Sequence, residues 1–324
     1  MSLVSVVCPF FNEEAIIERA IEGMARNLET LGRPWELILV NDGSVDESPE
    51  LAARTAARFP GVRVVGYPVN RGRGHALRHG MRESKGDLIV TTEVDLSWGE
   101  RIVHELVAAL EANPKVDIVV ASPHKEGGGY KNVPPLRVFL STAGNWIIRT
   151  GLSYAVTMNT GMTRGYRREK ILALPLDEDG KELHLEIISK ALALGYRISE
   201  IPAILEWKDH KLANPNKAKR KSSSKIRPII GSHLLFSVIA APFRYLYVLA
   251  LVGVMTGLGF VGAAFYRLFV GEVAIYFALT GFSLMLIALL LAALALLSQQ
   301  GRILQTESWR VRAELRQKEL RETA

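Results

Sequence analysis

Two carboxylates stand one residue apart in Glu93-Val94-Asp95, directly after the apolar run that ends in Thr91-Thr92. If that run is a strand, period-2 alternation sends both side chains to the same side. Adjacent carboxylates repel unless a cation lies between them, and hard oxygen donors suit Mg²⁺ or Mn²⁺. Such an ion can bridge the phosphates of a nucleotide-diphosphate leaving group. A solvated acidic turn is the plainer reading of the same three residues. Three other short polar stretches follow apolar runs: Phe10-Phe11-Asn12-Glu13-Glu14, Asn41-Asp42-Gly43-Ser44, and Val69-Asn70-Arg71-Gly72-Arg73-Gly74. From local sequence alone, Asp42 and Asn12 suit turn or helix caps equally well, and Arg71 and Arg73 suit solvated surface. No Gly-x-x-x-x-Gly-Lys-Ser/Thr loop, Gly-x-Ser-x-Gly elbow or paired-His metal helix is present in the sequence.

The elements that position these residues alternate. Apolar strands are expected at Leu3–Pro9, Trp35–Val40, Val62–Tyr67, Asp87–Thr92 and Val116–Ala121. Helices are expected between them, at Glu13–Leu31, from Ser48 to about Arg58, at Gly74–Ser84 and from Gly99 to Ala112. Fully apolar strands alternating with amphipathic helices predict an α/β domain, a mostly parallel sheet with helices on both faces. In such sheets ligands bind at the carboxyl ends of the strands, so all four polar stretches fall along one edge.

Apolar residues make up 48% of the 324, which excludes a disordered chain. A single cysteine, Cys8, excludes an intramolecular disulfide and a cysteine zinc cluster, and it reads as a small core residue. The net charge of +7 is not a nucleic-acid footprint. Residues 1–207 carry 24 Lys+Arg against 27 Asp+Glu, while 208–227 carry eight basic residues and one acid. That basic cluster precedes two uncharged runs, Tyr245–Tyr266 and Val273–Leu297. The first, as a helix, is about 33 Å long against about 30 Å of hydrocarbon. Basic residues before the first and after the second predict a helical hairpin with both ends in the cytoplasm. Gly253, Gly257 and Gly259 are a candidate packing face and allow a homo-oligomer. The expected domains are 1–227 (catalytic), 228–243 (an interfacial helix), 244–298 (two spans) and 299–324 (a basic cytoplasmic tail).

The ordered motifs Val6-Val7-Cys8-Pro9-Phe10-Phe11-Asn12-Glu13-Glu14, Leu39-Val40-Asn41-Asp42-Gly43-Ser44-Val45-Asp46 and Asn70-Arg71-Gly72-Arg73-Gly74 resemble family-2 glycosyltransferases of the GT-A fold. Arg137-x-x-x-Ser141, Arg164-Gly165-Tyr166-Arg167-Arg168 and Ala193–Pro202 narrow the resemblance to polyprenyl-phosphate glycosyltransferases, such as dolichol-phosphate mannose synthase and undecaprenyl-phosphate glucosyltransferases. The resemblance implies an inverting, metal-dependent hexosyltransferase of cell-wall or glycan biosynthesis. Its implied partners are a nucleotide-diphosphate sugar, a polyprenyl phosphate and a membrane. By the same resemblance Pro9, Phe10 and Glu14 line the nucleoside pocket and Asp42 bonds the base. Arg71 and Gly72 lie near the diphosphate, Glu93 and Asp95 hold Mg²⁺ or Mn²⁺, and Arg137 faces a phosphate. Two alternatives stay open. One is a transferase to a lipid or glycan hydroxyl, with a base among Asp177, Glu178, Asp179 and His184. The other is a catalytically weak nucleotide-sugar-binding membrane subunit. The first carboxylate is Glu93 where the family usually has Asp, and Ser97 stands where Gln or Ser is common.

Overall fold

Seven strands form one sheet, in the spatial order Val62–Tyr67, Trp35–Asp42, Val4–Phe10, Leu88–Thr91, Arg164–Arg167, Ile118–Ser122, Ile198–Pro202. The computed structural model describes residues 2–151, 156–207 and 242–322. The basic stretch 208–227 and the expected interfacial helix lie outside the described residues, except for the last residues of that helix. The strands are β1 (Val4–Phe10), β2 (Trp35–Asp42), β3 (Val62–Tyr67), β4 (Leu88–Thr91), β5 (Ile118–Ser122), β7 (Arg164–Arg167) and β8 (Ile198–Pro202). A second, two-stranded parallel sheet pairs β6 (Gly129–Lys131) with β9 (Ile204–Glu206). The helices between them are α1 (Ile17–Glu29), α2 (Ser48–Ala56), α3 (Arg73–Glu83), α4 (Ile102–Ala112), α5 (Pro135–Gly151), α6 (Arg168–Ala173) and α7 (Leu183–Ala193).

Burial explains the parallel core. Val4, Val6, Val7 and Cys8 of β1 are fully buried, as are Leu37 to Val40 of β2. Strands covered on both faces have no polar side to turn outward. β1 pairs in parallel with β2 (Val7 opposite Ile38) and with β4 (Val7 opposite Thr91). Burial, with Asp95, Glu93 and Glu13 adding to it, pushes the Cys8 thiol up, so it stays protonated in the core.

β7 is antiparallel to both β4 and β5, and sets Arg164 between Thr91 and Val120. A fully buried guanidinium needs acceptors. Arg164 donates to the carbonyls of His184 (2.9 Å) and Asn159 (2.7 Å). A second polar node joins three elements at the opposite end of the sheet. Glu36 accepts from Ser5 Oγ (2.5 Å), the Lys85 amide (2.6 Å) and Arg63 Nε (3.3 Å).

α1 starts later than its spacing predicts. The amides of Glu13 and Glu14 are spent on Ser48 Oγ (2.7 Å) and Asp46 Oδ2 (3.4 Å), so the helix begins at Ile17. Its buried face is Ile17, Ala20, Ile21, Met24 and Leu28.

The chain divides into two compact units. The first holds the sheet and the chain from Trp309 onward, and the second reaches Ser308. In the second unit α8 (Pro242–Phe269) meets α9, which begins at Ile275. Both are long and apolar enough to cross a membrane, with only 11% and 17% of their apolar windows buried, unlike the core helices of a globular domain. A Cβ at Gly257 would lie 2.8 Å from the Gly281 carbonyl oxygen, and one at Gly253 would lie 3.0 Å from Ala288 Cβ. Gly253 and Gly257 therefore form the expected packing face, whereas Gly259 faces open space. α9 does not stop at Leu297. It runs unbroken to Glu322, so the expected tail is the end of the same helix.

Candidate functional site

The four polar stretches do gather at the carboxyl edge of the parallel strands, and hydrogen bonds stitch them together. Asn12 takes a left-handed conformation (φ 54°), which asparagine tolerates. Its amide donates to Ser44 Oγ (3.0 Å), and its Oδ1 accepts from the Val45 amide (3.0 Å). A Cβ at Gly43 (φ 68°) would overlap the backbone of Val69 and Asn70, so only glycine lets these two loops touch.

Asp42 is buried and organises the next loop. Its carboxylate accepts from Tyr67 OH (2.7 Å), Asn70 Nδ2 (3.1 Å), the Arg71 amide (3.0 Å) and the Gly72 amide (3.2 Å). Burial and the facing carboxylate push the Tyr67 phenol far up, so it remains a donor. In this structure the Asp42 oxygens hold the loop that carries Arg71 and Gly72. Arg71 Nη1 lies 3.3 Å from His75 Nε2 on the first turn of α3.

Glu93 and Asp95 converge, but not by strand alternation. β4 ends at Thr91, and Glu93–Leu96 form a turn in which Leu96 has φ 53°. Ser97 draws the two acids together: its amide donates to Asp95 Oδ1 (3.0 Å), and its hydroxyl donates to Glu93 Oε2 (2.8 Å). The Arg73 guanidinium lies 3.9 Å from Glu93 Oε1. Burial and the Asp95 charge raise the Glu93 carboxyl, against the opposing pull of Arg73, Ser97 and Trp98. Two carboxylates brought this close are the hard-oxygen donor set a divalent ion suits. Among the described residues no third His, Cys, Asp or Glu joins them.

Other expected residues fall differently. Pro9 is half-buried at the end of β1, and Glu14 Oε2 accepts from the Glu47 amide (3.4 Å). Phe10 is only 3% exposed, because β1 continues through it and turns it into the core. Its neighbour Phe11 is the aromatic that faces out, at 39%. Arg137, in the first turn of α5, stacks 4.3 Å over the ring of Trp207. Leu136 and Phe139 beside it are exposed. No motif signalled Trp207. No motif signals the organising role of Ser97 either.

Two of the four candidate bases for a hydroxyl acceptor, Asp177 and Asp179, are otherwise engaged. Asp179 Oδ1 meets His75 Nδ1 (3.0 Å) and Arg78, and Asp177 Oδ2 accepts from Lys190 Nζ (3.2 Å). Burial, then the charges of Arg164 and Arg73, hold the His184 imidazole well below its usual range, so it is neutral and a weak base.

A model of the family described as glycosyl transferase family 2 matches residues 5–174, more than half of the chain. A dolichyl-phosphate beta-glucosyltransferase of Trichomonas vaginalis is 29% identical over 151 residues, covering 44% of this chain and 45% of the relative. An undecaprenyl-phosphate 4-deoxy-4-formamido-L-arabinose transferase of Edwardsiella ictaluri is 35% identical over 113 residues, covering 34% of each. The chain spans about half or less of the length of the curated relatives it matches. Among solved structures, glucosyl-3-phosphoglycerate synthase of Mycobacterium tuberculosis, crystallised with Mn²⁺ and UDP, superposes with a TM-score of 0.52 at 23% identity. That match covers 74% of this chain and 78% of the synthase. The same enzyme with Mg²⁺ and UDP gives 0.54 at 24% identity, covering 73% and 79%. These neighbours share the GT-A arrangement of a mostly parallel sheet with flanking helices.

Proposed function

The chain belongs to glycosyl transferase family 2, and on that premise we propose that it moves a sugar from a nucleotide-diphosphate donor to a polyprenyl phosphate at a membrane surface. The carrying observation is the Glu93–Asp95 pair, drawn together by Ser97 beside the Asp42-held loop in a chain with two membrane-length helices. The dolichyl- and undecaprenyl-phosphate relatives support the lipid acceptor.

The roles follow from the chemistry of each group. Pro9, Phe11 and Glu14 flank the nucleoside. Asp42 fixes the Asn70–Gly72 loop, so the Arg71 and Arg73 guanidiniums are preplaced for the diphosphate. Glu93 and Asp95 would hold Mg²⁺ or Mn²⁺, which would supply positive charge against that of the departing diphosphate. Arg137, packed over the Trp207 ring, binds the acceptor phosphate, while exposed Leu136 and Phe139 suit the first carbons of its chain. An acceptor phosphate, with a second pKa of about 6, is largely ionised at neutral pH and needs no general base. This agrees with acids at 177 and 179 that are engaged elsewhere. Direct attack on the anomeric carbon inverts it. α8 and the apolar part of α9 anchor the enzyme, with the catalytic unit and both ends of the chain in the cytoplasm.

The test offers UDP- and GDP-sugars to membranes containing the protein, with polyprenyl phosphate or the neutral polyprenol as acceptor. The reading expects labelled lipid from the phosphate alone. Equal labelling of the polyprenol would replace it with a hydroxyl-directed transferase.

A further inference from the structure

The last turns of α9 pack into the catalytic unit through one stripe. Trp309, Ala313 and Arg316 recur at four- and three-residue spacing, which places them on one helical face. Ala313 is buried at 7%, while Val311, Arg312, Glu314 and Leu315 are exposed.

This stripe grips the segment between α6 and α7. Arg316 Nη1 donates to the Leu174 carbonyl at 2.7 Å. The Trp309 ring lies 5.2 Å from Lys190 Nζ. Lys190 is itself buried and donates to the Pro175 carbonyl, to Asp177 Oδ2 (3.2 Å) and to Glu186 Oε1 (2.6 Å). Glu186 in turn accepts from the amides of Asp177 (3.0 Å) and Glu178 (3.0 Å).

The far side of the same segment rests on α3. Arg78 donates to the Leu176 carbonyl (2.8 Å) and pairs with Asp179, and the His75 amide donates to the Asp179 carbonyl (3.0 Å). A Cβ at Gly72 would lie 2.6 Å from the Asp179 carbonyl oxygen, and one at Gly74 would lie 2.8 Å from it. The segment therefore sits hard against the turn that carries Arg71 and Arg73.

We propose that the helix end from Trp309 onward is a positioning element for the donor site. It clamps Leu174–Gly180 against the first turn of α3 and so fixes the loop that would bind the donor diphosphate. Trp309 and Arg316 are positioning residues, acting through Lys190 and the Leu174–Gly180 segment. The site they serve rests on the proposed glycosyltransferase reading, but the clamp itself does not.

The test uses the full chain in detergent with the double variant Trp309→Ala/Arg316→Ala, and with Trp309→Phe/Arg316→Lys as the conservative control. Hydrogen exchange reads the clamp without any substrate. The Asp177, Glu178 and His75 amides should exchange about tenfold faster in the alanine variant, and the control should restore them. In transfer assays the donor KM should rise about tenfold, with kcat and acceptor KM within about twofold of wild type. Unchanged exchange at those amides overturns the clamp. A uniform loss of kcat and both affinities, with a lowered Tm, overturns the positioning role and leaves a stability role alone. A wild-type protein that transfers nothing from any donor sinks the functional reading, while the exchange data still judge the clamp.

Discussion

Asp95 and Glu93 carry unequal burdens. Among the described residues Asp95 accepts a single hydrogen bond, from the Ser97 amide, which leaves its second oxygen the more available for a metal ion. Glu93 is held by the Ser97 hydroxyl and faces Arg73. Asp95→Asn should therefore lower kcat by about 10²- to 10³-fold at saturating metal, the cost typical of losing one preplaced charge-stabilising group. Ser97→Ala keeps the amide bond and loses the hydroxyl bond. It should weaken metal activation by about 10-fold or more, with kcat recovered at high Mg²⁺ or Mn²⁺. A metal titration of initial rate separates the two, and a Ser97→Ala curve that overlays wild type would contradict the organising role. The carboxylates were legible from residue type and spacing. Their means of convergence was not, because the turn depends on Leu96 adopting a positive φ that no local signal announces. The burial of Phe10 follows from β1 running one residue past the expected strand end at Pro9.

Among the elements, the Glu36 node sets an acid limit on the sheet. Burial alone would raise this carboxyl, but Ser5, the Lys85 amide and Arg63 outweigh it and hold it below the usual range. A depressed folded-state value contributes stability above the unfolded value of about 4.3, and loses it as pH falls through the folded value. Glu36→Gln should be less stable than wild type at pH 7, with the gap in Tm narrowing as pH falls from about 5 through the unfolded value. A gap that stays constant over that range would contradict the argument. Gly74→Ala should push the 177–180 segment off α3 and raise the donor KM, because the new Cβ meets backbone that cannot swing aside. The five apolar parallel strands were readable from hydrophobic runs bounded by helices. β7 was not, since a strand opening on Arg164 and carrying Arg167 has no apolar signature. Its arginine is buried only because the carbonyls of Asn159 and His184, distant in sequence or in other elements, are there to receive it.

At the scale of the whole molecule, two membrane-length helices and a nucleotide-sugar transferase fold occur in one chain, which suits an acceptor whose headgroup lies at a lipid surface. The hairpin was legible from two uncharged runs flanked by basic residues. The continuation of α9 into the catalytic unit was not, because its charged outer face reads as a solvated tail. The most direct test of the account is sugar transfer by the purified full chain, with labelled nucleotide-sugars and polyprenyl phosphate, before and after EDTA. The account predicts labelled polyprenyl phosphate that disappears with EDTA and returns with Mg²⁺ or Mn²⁺. Undiminished transfer in EDTA, or no labelled lipid from any donor with metal present, would contradict it.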